Sequence, residues 1–242
     1  MTKTAALIVI GNEILSGKVQ DVNSPYFCQE LRKLGVNVRR ISVIADDPEE
    51  IGREVSQCSE TYDYVLTSGG VGPTHDDLTI LGIARGFGQP VRRHPDLEGI
   101  LRDYYMGTLN EAQLKLCEVP QGATLLTREG LSFPVIRFRN VYVFPGIPEI
   151  LRKKFEAIKE QFREAPFFLR TVFLCAQEDR IAHYLTAVLR SYPNLEIGSY
   201  PEAGQVDYQV KITMESKDQV YLDAAYQYLC TLLPAQFVVR SK

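Results

Sequence analysis

The stretch Thr67-Ser-Gly-Gly-Val-Gly-Pro-Thr-His-Asp-Asp77 concentrates residue types that do chemistry. Gly69, Gly70 and Gly72 let the backbone turn tightly and approach a ligand. Their N–H groups and that of Ser68, with a helix N-terminus behind them, form a candidate anion cradle. Pro73, Thr74 and His75 follow, and His75 adds a donor or a positive charge. Asp76 and Asp77 are unfavourable beside a phosphate unless a divalent cation sits between them. The combination points to phosphate plus a Mg2+-like ion. An ordinary strand-to-helix turn with an aspartate as helix cap is the competing reading. A dinucleotide fingerprint is excluded, because His75 stands where the third glycine belongs.

Two more loops carry candidate groups. Gly11-Asn12-Glu13-Ile-Leu-Ser16-Gly17-Lys18 invites comparison with a P-loop and fails it. The glycine spacing is one residue too long, and Val19 replaces the magnesium-binding Ser or Thr. Glu13 is still a candidate metal or base group, and Ser16, Gly17 and Lys18 are candidate phosphate donors. Phe144-Pro145-Gly146-Ile-Pro148 is the third loop; by itself it reads as a rigid turn with Pro148 opening a helix. Asp46 and Asp47 follow another apolar run. Asp47 reads as a helix cap, which leaves Asp46 to face a pocket. No Ser-His-Asp, Cys-His or His-Glu-x-x-His pattern is present. His94 reads as a surface loop residue and His183 as a helical residue among apolar neighbours.

The elements needed to position these loops are legible in the patterning. Residues 5–10 are apolar without alternation, the mark of a strand buried on both faces. A helix follows from about Ser24, with Ser24 as cap, Pro25 in its first turn and Gly35 as its end. Further strands are expected at 38–44, 64–67, 135–138 and 141–144, the last two as a hairpin turning at Arg139-Asn140. Helices are expected from Asp47, over 78–87, 97–105 and 111–116, and from Pro148 with Ile150, Leu151, Phe155, Ile158 and Phe162 on one side. Strands alternating with helices predict an α/β domain with a mostly parallel, three-layer sheet. The three loops then all leave carboxyl ends of strands and share one sheet edge, where ligands bind in open α/β folds. After Glu164-Ala165-Pro166 the order changes. A strand at 171–175, a helix at 179–190, strands at 195–200 and 206–214, a helix at 219–233 and a strand at 236–240 give β-α-β-β-α-β, a small ferredoxin-like domain over 166–242.

Bulk properties narrow the function. The 242 residues are 45% hydrophobic, enough for real cores, and 27 basic against 30 acidic side chains leave a net charge of −3. A basic footprint for nucleic acid is absent, so nucleic acid is not an expected partner. Five cysteines, Cys28, Cys58, Cys117, Cys175 and Cys230, form no C-x-x-C pair and read as reduced, mostly buried thiols. No apolar run approaches the ~20 residues that span a bilayer, and no signal peptide is seen, so a cytoplasmic protein is expected.

Together the motifs "GNEILSGKVQDVN", "TSGGVGPTHDDLT" and "FPGIP" resemble those of the molybdopterin-binding-fold family related to MogA and MoaB. The similarity is nearer to the N-terminal region of CinA and to the molybdopterin-binding-like domain of eukaryotic FAD synthase. It covers about residues 4–165, and the tail resembles the small domain that follows in CinA-type proteins. By position, Gly69, Gly70, Gly72 and Asp77 match the family's glycine loop and acid, and Asp46 its second acid. Gly11, Asn12 and Asn23 fall inside the first motif and join the ligand-binding set. His75 stands where CinA proteins often carry Lys. The resemblance implies metal-dependent cleavage of a dinucleotide pyrophosphate, FAD or ADP-ribose, with Asp77, Asp46 and Glu13 catalytic and Asp76 and Asp77 on the metal. It implies Mg2+, Mn2+ or Co2+, with K+ as a further candidate ion, and a homodimer or homotrimer. The alternative it leaves open is molybdopterin binding or molybdenum-cofactor synthesis without cleavage. Thr127–Pro134 lacks the family's Gly-Thr-Ala-Pro-Gly pattern, so the segment bordering the substrate departs from the CinA type. The chain ends at Lys242, and neither a nicotinamide-nucleotide deamidase nor an FAD-synthesising domain is expected after it.

Overall fold

The computed structural model describes residues 2–202 and 207–241. The chain forms two compact units, residues 1–164 and 165–242. The first unit runs β1 (Thr4–Ile10), α1 (Asn12–Leu15), α2 (Asn23–Lys33), β2 (Asn37–Ile44), α3 (Pro48–Thr61), β3 (Tyr64–Ser68), α4 (Thr79–Gly86), β4 (Val91–Arg93), α5 (Pro95–Tyr105), α6 (Glu111–Lys115), β5 (Glu118–Pro120), β6 (Thr124–Leu126), β7 (Val135–Phe138), β8 (Val141–Phe144) and α7 (Pro148–Ile158). Its six-stranded sheet has the order β2-β1-β3-β8-β7-β6. The first four strands are mutually parallel, and β7 and β6 add an antiparallel edge.

Alternate residues of β1 explain its unbroken hydrophobicity. Ala6, Ile8 and Ile10 pack with Ile51 and Val55 of α3, Ile83 of α4 and Leu97 of α5. Ala5 and Leu7 pack on the other face with Phe27 and Leu31 of α2 and Leu151 and Phe155 of α7. The sheet is therefore the middle of three layers, as the MogA/MoaB-like expectation required. α2, which follows β1, lies on one face, and α4, which follows β3, on the other. The loops leaving these adjacent strands diverge and open a crevice at their carboxyl ends.

Several local expectations change. The side chain of Asp21, not Ser24, caps α2, accepting from the N–H groups of Asn23 and Ser24 at 2.9 and 3.1 Å. His94 is no idle loop residue: its Nδ1 accepts from Asp96 N at 3.2 Å and caps α5. The β4–β5 hairpin and β6 went unread because three-residue strands carry too little periodicity. Cys58 and Cys117 are buried, but Cys175 is exposed. His183 is solvent-exposed on its helix.

The second unit runs β9 (Phe168–Leu174), α8 (Glu178–Ser191), β10 (Glu196–Pro201), β11 (Val210–Ser216), α9 (Gln219–Leu232) and β12 (Val238–Ser241). Its antiparallel sheet has the order β10-β11-β9-β12, with both helices on its buried face around Val172, Ile212 and Met214. That is the expected β-α-β-β-α-β arrangement; β11 starts at Val210, and Val206 lies outside the described residues.

Candidate functional site

The glycine loop begins where β3 ends. Gly69 has φ +109°, and a Cβ there would overlap the carbonyl oxygen of Ile10 at the end of β1. Its N–H donates to Phe144 O of β8 at 3.2 Å. Gly70 has φ +62° and gives its carbonyl to Thr79 N at 3.0 Å. Thr79 Oγ1 donates to Gly69 O at 2.8 Å, so the first residue of α4 is stitched to the loop twice. This bare backbone between three strand ends is what glycine permits and a side chain would block. Among the described residues, the N–H groups of Gly70, Val71 and Gly72 have no protein acceptor.

The carboxylates close the loop from the other side. Thr74 N donates to Asp77 Oδ2 at 2.8 Å. The Thr74 hydroxyl lies 2.5 Å from Asp77 Oδ2 and 2.6 Å from Asp76 Oδ1. A hydroxyl has one proton, so it serves one carboxylate at a time and the pair stands close together. That hydroxyl, chiefly, and then Asp76's own backbone N–H hold the Asp76 carboxyl below the ordinary carboxylate range. Neither aspartate caps α4: its cap position is Leu78, without a side-chain bond. Both are spent on the Thr74 turn, which corrects the helix-cap reading. Lys115 Nζ donates to Thr74 O. His75 is 99% exposed in its side chain, and its Nδ1 lies 3.9 Å from Asp76 Oδ1, so it faces solvent. Pro73 is exposed beside it.

The loop after β1 is no P-loop in structure either. Gly11 N donates to Ile44 O at 3.1 Å, and Asn12 N to Asp46 Oδ2 at 2.8 Å, so Asp46 fastens the loop across from β2. The Glu13 carboxylate folds back over Gly11, within 2.6 Å of where a Cβ would be. Ser16 Oγ donates to Glu13 O at 3.3 Å, and Gly17 turns the chain at φ +71°. Ser16, Gly17 and Lys18 are all exposed.

Asn23 acts as a buried brace. Its Nδ2 donates to Ser68 Oγ at 2.9 Å and to Gly146 O at 2.8 Å, joining α2, β3 and the loop after β8. The Gly146 position lies 3.5 Å from Gly69 Cα, measured from an added Cβ, so Pro145, Gly146 and Pro148 border the glycine loop. Pro148 is the first residue of α7. The glycine loop therefore meets the loop after β8 at Gly146 and the end of β1 at Ile10.

Beside them lies a cavity of about 450 Å3. Gly70, Gly72, Asp77 and Pro145 form part of its wall, and Val71, Leu78, Ile80, Phe133 and Ile136 form much of the rest. Ile150, expected on the packed side of α7, is 43% exposed and lines this cavity instead.

The family described as "Probable molybdopterin binding domain" matches residues 6–164. The chain belongs to this family. A second family, "FAD synthase, middle domain", matches residues 166–242. "Probable FAD synthase" of Caenorhabditis elegans is 36% identical over 98% of this chain and 51% of its own. The counterpart in Caenorhabditis briggsae is 34% identical over 98% and 50%. The chain spans about half the length of these curated relatives. A protein of Archaeoglobus fulgidus is 35% identical over 88% of this chain and 92% of its own. Among solved structures, "the protein CinA with unknown function from Thermoplasma acidophilum" has a TM-score of 0.62 and 30% identity, covering 66% of this chain and 98% of that one.

Among the described residues no three His, Cys, Asp or Glu side chains group to hold a metal ion. Asp76 and Asp77, paired at the Thr74 hydroxyl, still fit an ion of the Mg2+ kind, which takes one or two carboxylates and completes its shell with water and substrate phosphates. Two cavity residues were missed in the sequence, Lys115 and Lys154. Lys154 sits in the run Arg152-Lys153-Lys154, which reads as solvated. The signal was its spacing: three residues after Leu151 and four before Ile158, it falls on the buried stripe of α7. Among the described residues no helix is long and apolar enough to cross a membrane.

Proposed function

We propose that the first unit is a metal-dependent hydrolase of dinucleotide pyrophosphates, FAD or ADP-ribose. The observation that carries the reading is the glycine loop, with three successive N–H groups lacking protein acceptors beside two carboxylates at the crevice between β1 and β3. Those N–H groups suit phosphate oxygens. A divalent ion held by Asp77 and Asp76 would neutralise the pyrophosphate and acidify a water. Hydrolysis would add water to one phosphorus as the bridging P–O bond breaks, giving AMP and either FMN or ribose 5-phosphate. Glu13, or the Asp46 oxygen not used by Asn12, accepts the proton of the attacking water. Lys115 adds positive charge at the loop, and the exposed Ser16, Lys18 and His75 are the further candidate phosphate contacts. K+ is a further candidate ion, and a homodimer or homotrimer, read by light scattering, is the assembly that accompanies this reading.

The relatives named FAD synthase support a dinucleotide as ligand. The family description favours a second reading, molybdopterin binding without cleavage. Incubating the purified chain with FAD or ADP-ribose and Mg2+, Mn2+ or Co2+ separates the two. AMP release that stops with a chelator is expected. A folded protein that releases none under any metal, yet binds molybdopterin tightly, reverses the assignment.

A further inference from the structure

Lys154 has no part in the reaction just described, and its surroundings are unusual for a lysine. It is only 9% exposed, on α7, among apolar side chains. Its Nζ donates one hydrogen bond, to Pro134 O at 2.6 Å, and lies 5.0 Å over the Phe133 ring. No carboxylate pairs with it among the described residues. An ammonium group carries three donors, so two have no protein acceptor among the described residues. It lines the same cavity as Gly70, Gly72 and Asp77. A buried donor without partners costs stability unless something accepts from it.

We propose that this cavity seats the ring borne by the phosphate ligand, a planar heteroaromatic with a carbonyl edge, and that Lys154 is the residue that recognises that edge. The inference rests on the glycine loop being the phosphate cradle, and it adds what the phosphate carries. The apolar wall of Val71, Leu78, Ile80 and Ile136, with the Phe133 ring, suits a flat, weakly hydrated body. Lysine donates and never accepts, so it addresses ring carbonyl oxygens. Flavins and pterins share this chemistry. Burial pushes the Lys154 amine down to about 8, which keeps it largely protonated at neutral pH.

The test compares ligands that differ at the ring and are not themselves cleaved. Binding of FMN, a phosphorylated pterin, AMP and ribose 5-phosphate is measured calorimetrically in Mg2+ with the full chain. The wild type should bind at least one carbonyl-edged ring ligand about tenfold or more tighter than ribose 5-phosphate. Lys154→Met should weaken that ligand by about ten- to a hundredfold, the worth of one charge-assisted hydrogen bond, and ribose 5-phosphate less than twofold. Ile150→Trp, at an exposed position on the cavity wall, should narrow the seat and weaken the same ligand selectively, which keeps the test open should Lys154→Met fold poorly. Losses confined to FMN assign a flavin, and losses confined to the pterin assign a pterin. Equal losses on ribose 5-phosphate or full losses on AMP overturn the proposal. So do unchanged affinities in both folded variants, or a wild type that binds no ring ligand. Selective loss without any AMP release from FAD leaves this seat standing and removes the hydrolase instead.

Discussion

At the residue scale, the site depends on carboxylates held by a hydroxyl rather than by cations. Asp77 accepts from both the N–H and the hydroxyl of Thr74, so it shapes the turn as well as offering charge. We expect Asp77→Asn to cut AMP release by about a hundredfold or more, since a group in the reacting constellation is worth 10²–10⁴. Its unfolding free energy should stay within about 1 kcal/mol of wild type, because the amide oxygen still accepts from Thr74 N. Parallel kinetics and denaturant melts check both halves. Lys154 gives a pH signature. Its folded amine titrates at about 8 against an ordinary 10.5, so between these values the unfolded chain holds more protons and stability rises with pH. The rise attributable to Lys154 is at most about 3 kcal/mol. Denaturant melts of wild type and Lys154→Met across pH 7–11 read it as a difference, with the variant lacking that part of the slope; parallel curves would refute the buried titration.

At the element scale, the site exists because strand ends are tied together. Asn23 joins α2 to β3 and to the loop after β8, and it is 7% exposed. We expect Asn23→Ala to lower the unfolding free energy by about 1–3 kcal/mol, since it leaves the Ser68 hydroxyl oxygen and the Gly146 carbonyl without their donor. The placement of α4 rests on close backbone contact with α3. A Cβ on Gly52 would stand 2.8 Å from Gly82 O and 2.9 Å from Gly86 N. Gly52→Ala should therefore cost about 1–3 kcal/mol and push α4 away from α3 at Gly82 and Gly86. Thermal melts rank both against wild type. Much of this scale was legible in the sequence. The unalternating run of β1, the Asp47 cap and the proline at the start of α7 each have a local physical signature. What escaped was set by tertiary contact. Nothing local says that Asp21 would displace Ser24 as cap, or that the two aspartates would turn to Thr74 and leave Leu78 at the cap. That the three loops leave one sheet edge was readable, because parallel strands share it. The cavity was not, since its walls come from α4, α5, α6, β7 and α7 at once.

At the scale of the whole molecule, each unit has its own core. Phe27, Phe144, Phe155 and Phe162 are buried in the first, and Val172, Ile212, Met214 and Leu229 in the second. Among the described residues, no buried residue of one core cluster belongs to the other unit. We expect residues 1–164 and 165–242, expressed separately, each to unfold in one cooperative transition by circular dichroism, with AMP release confined to the first. The proposed hydrolysis requires the glycine loop to hold the pyrophosphate. A crystal structure of the Asp77→Asn variant with FAD or ADP-ribose and Mg2+ tests it most directly. Phosphate oxygens are expected against the N–H groups of Gly70, Val71 and Gly72; a dinucleotide bound away from that loop, or in the second unit, would refute the assignment.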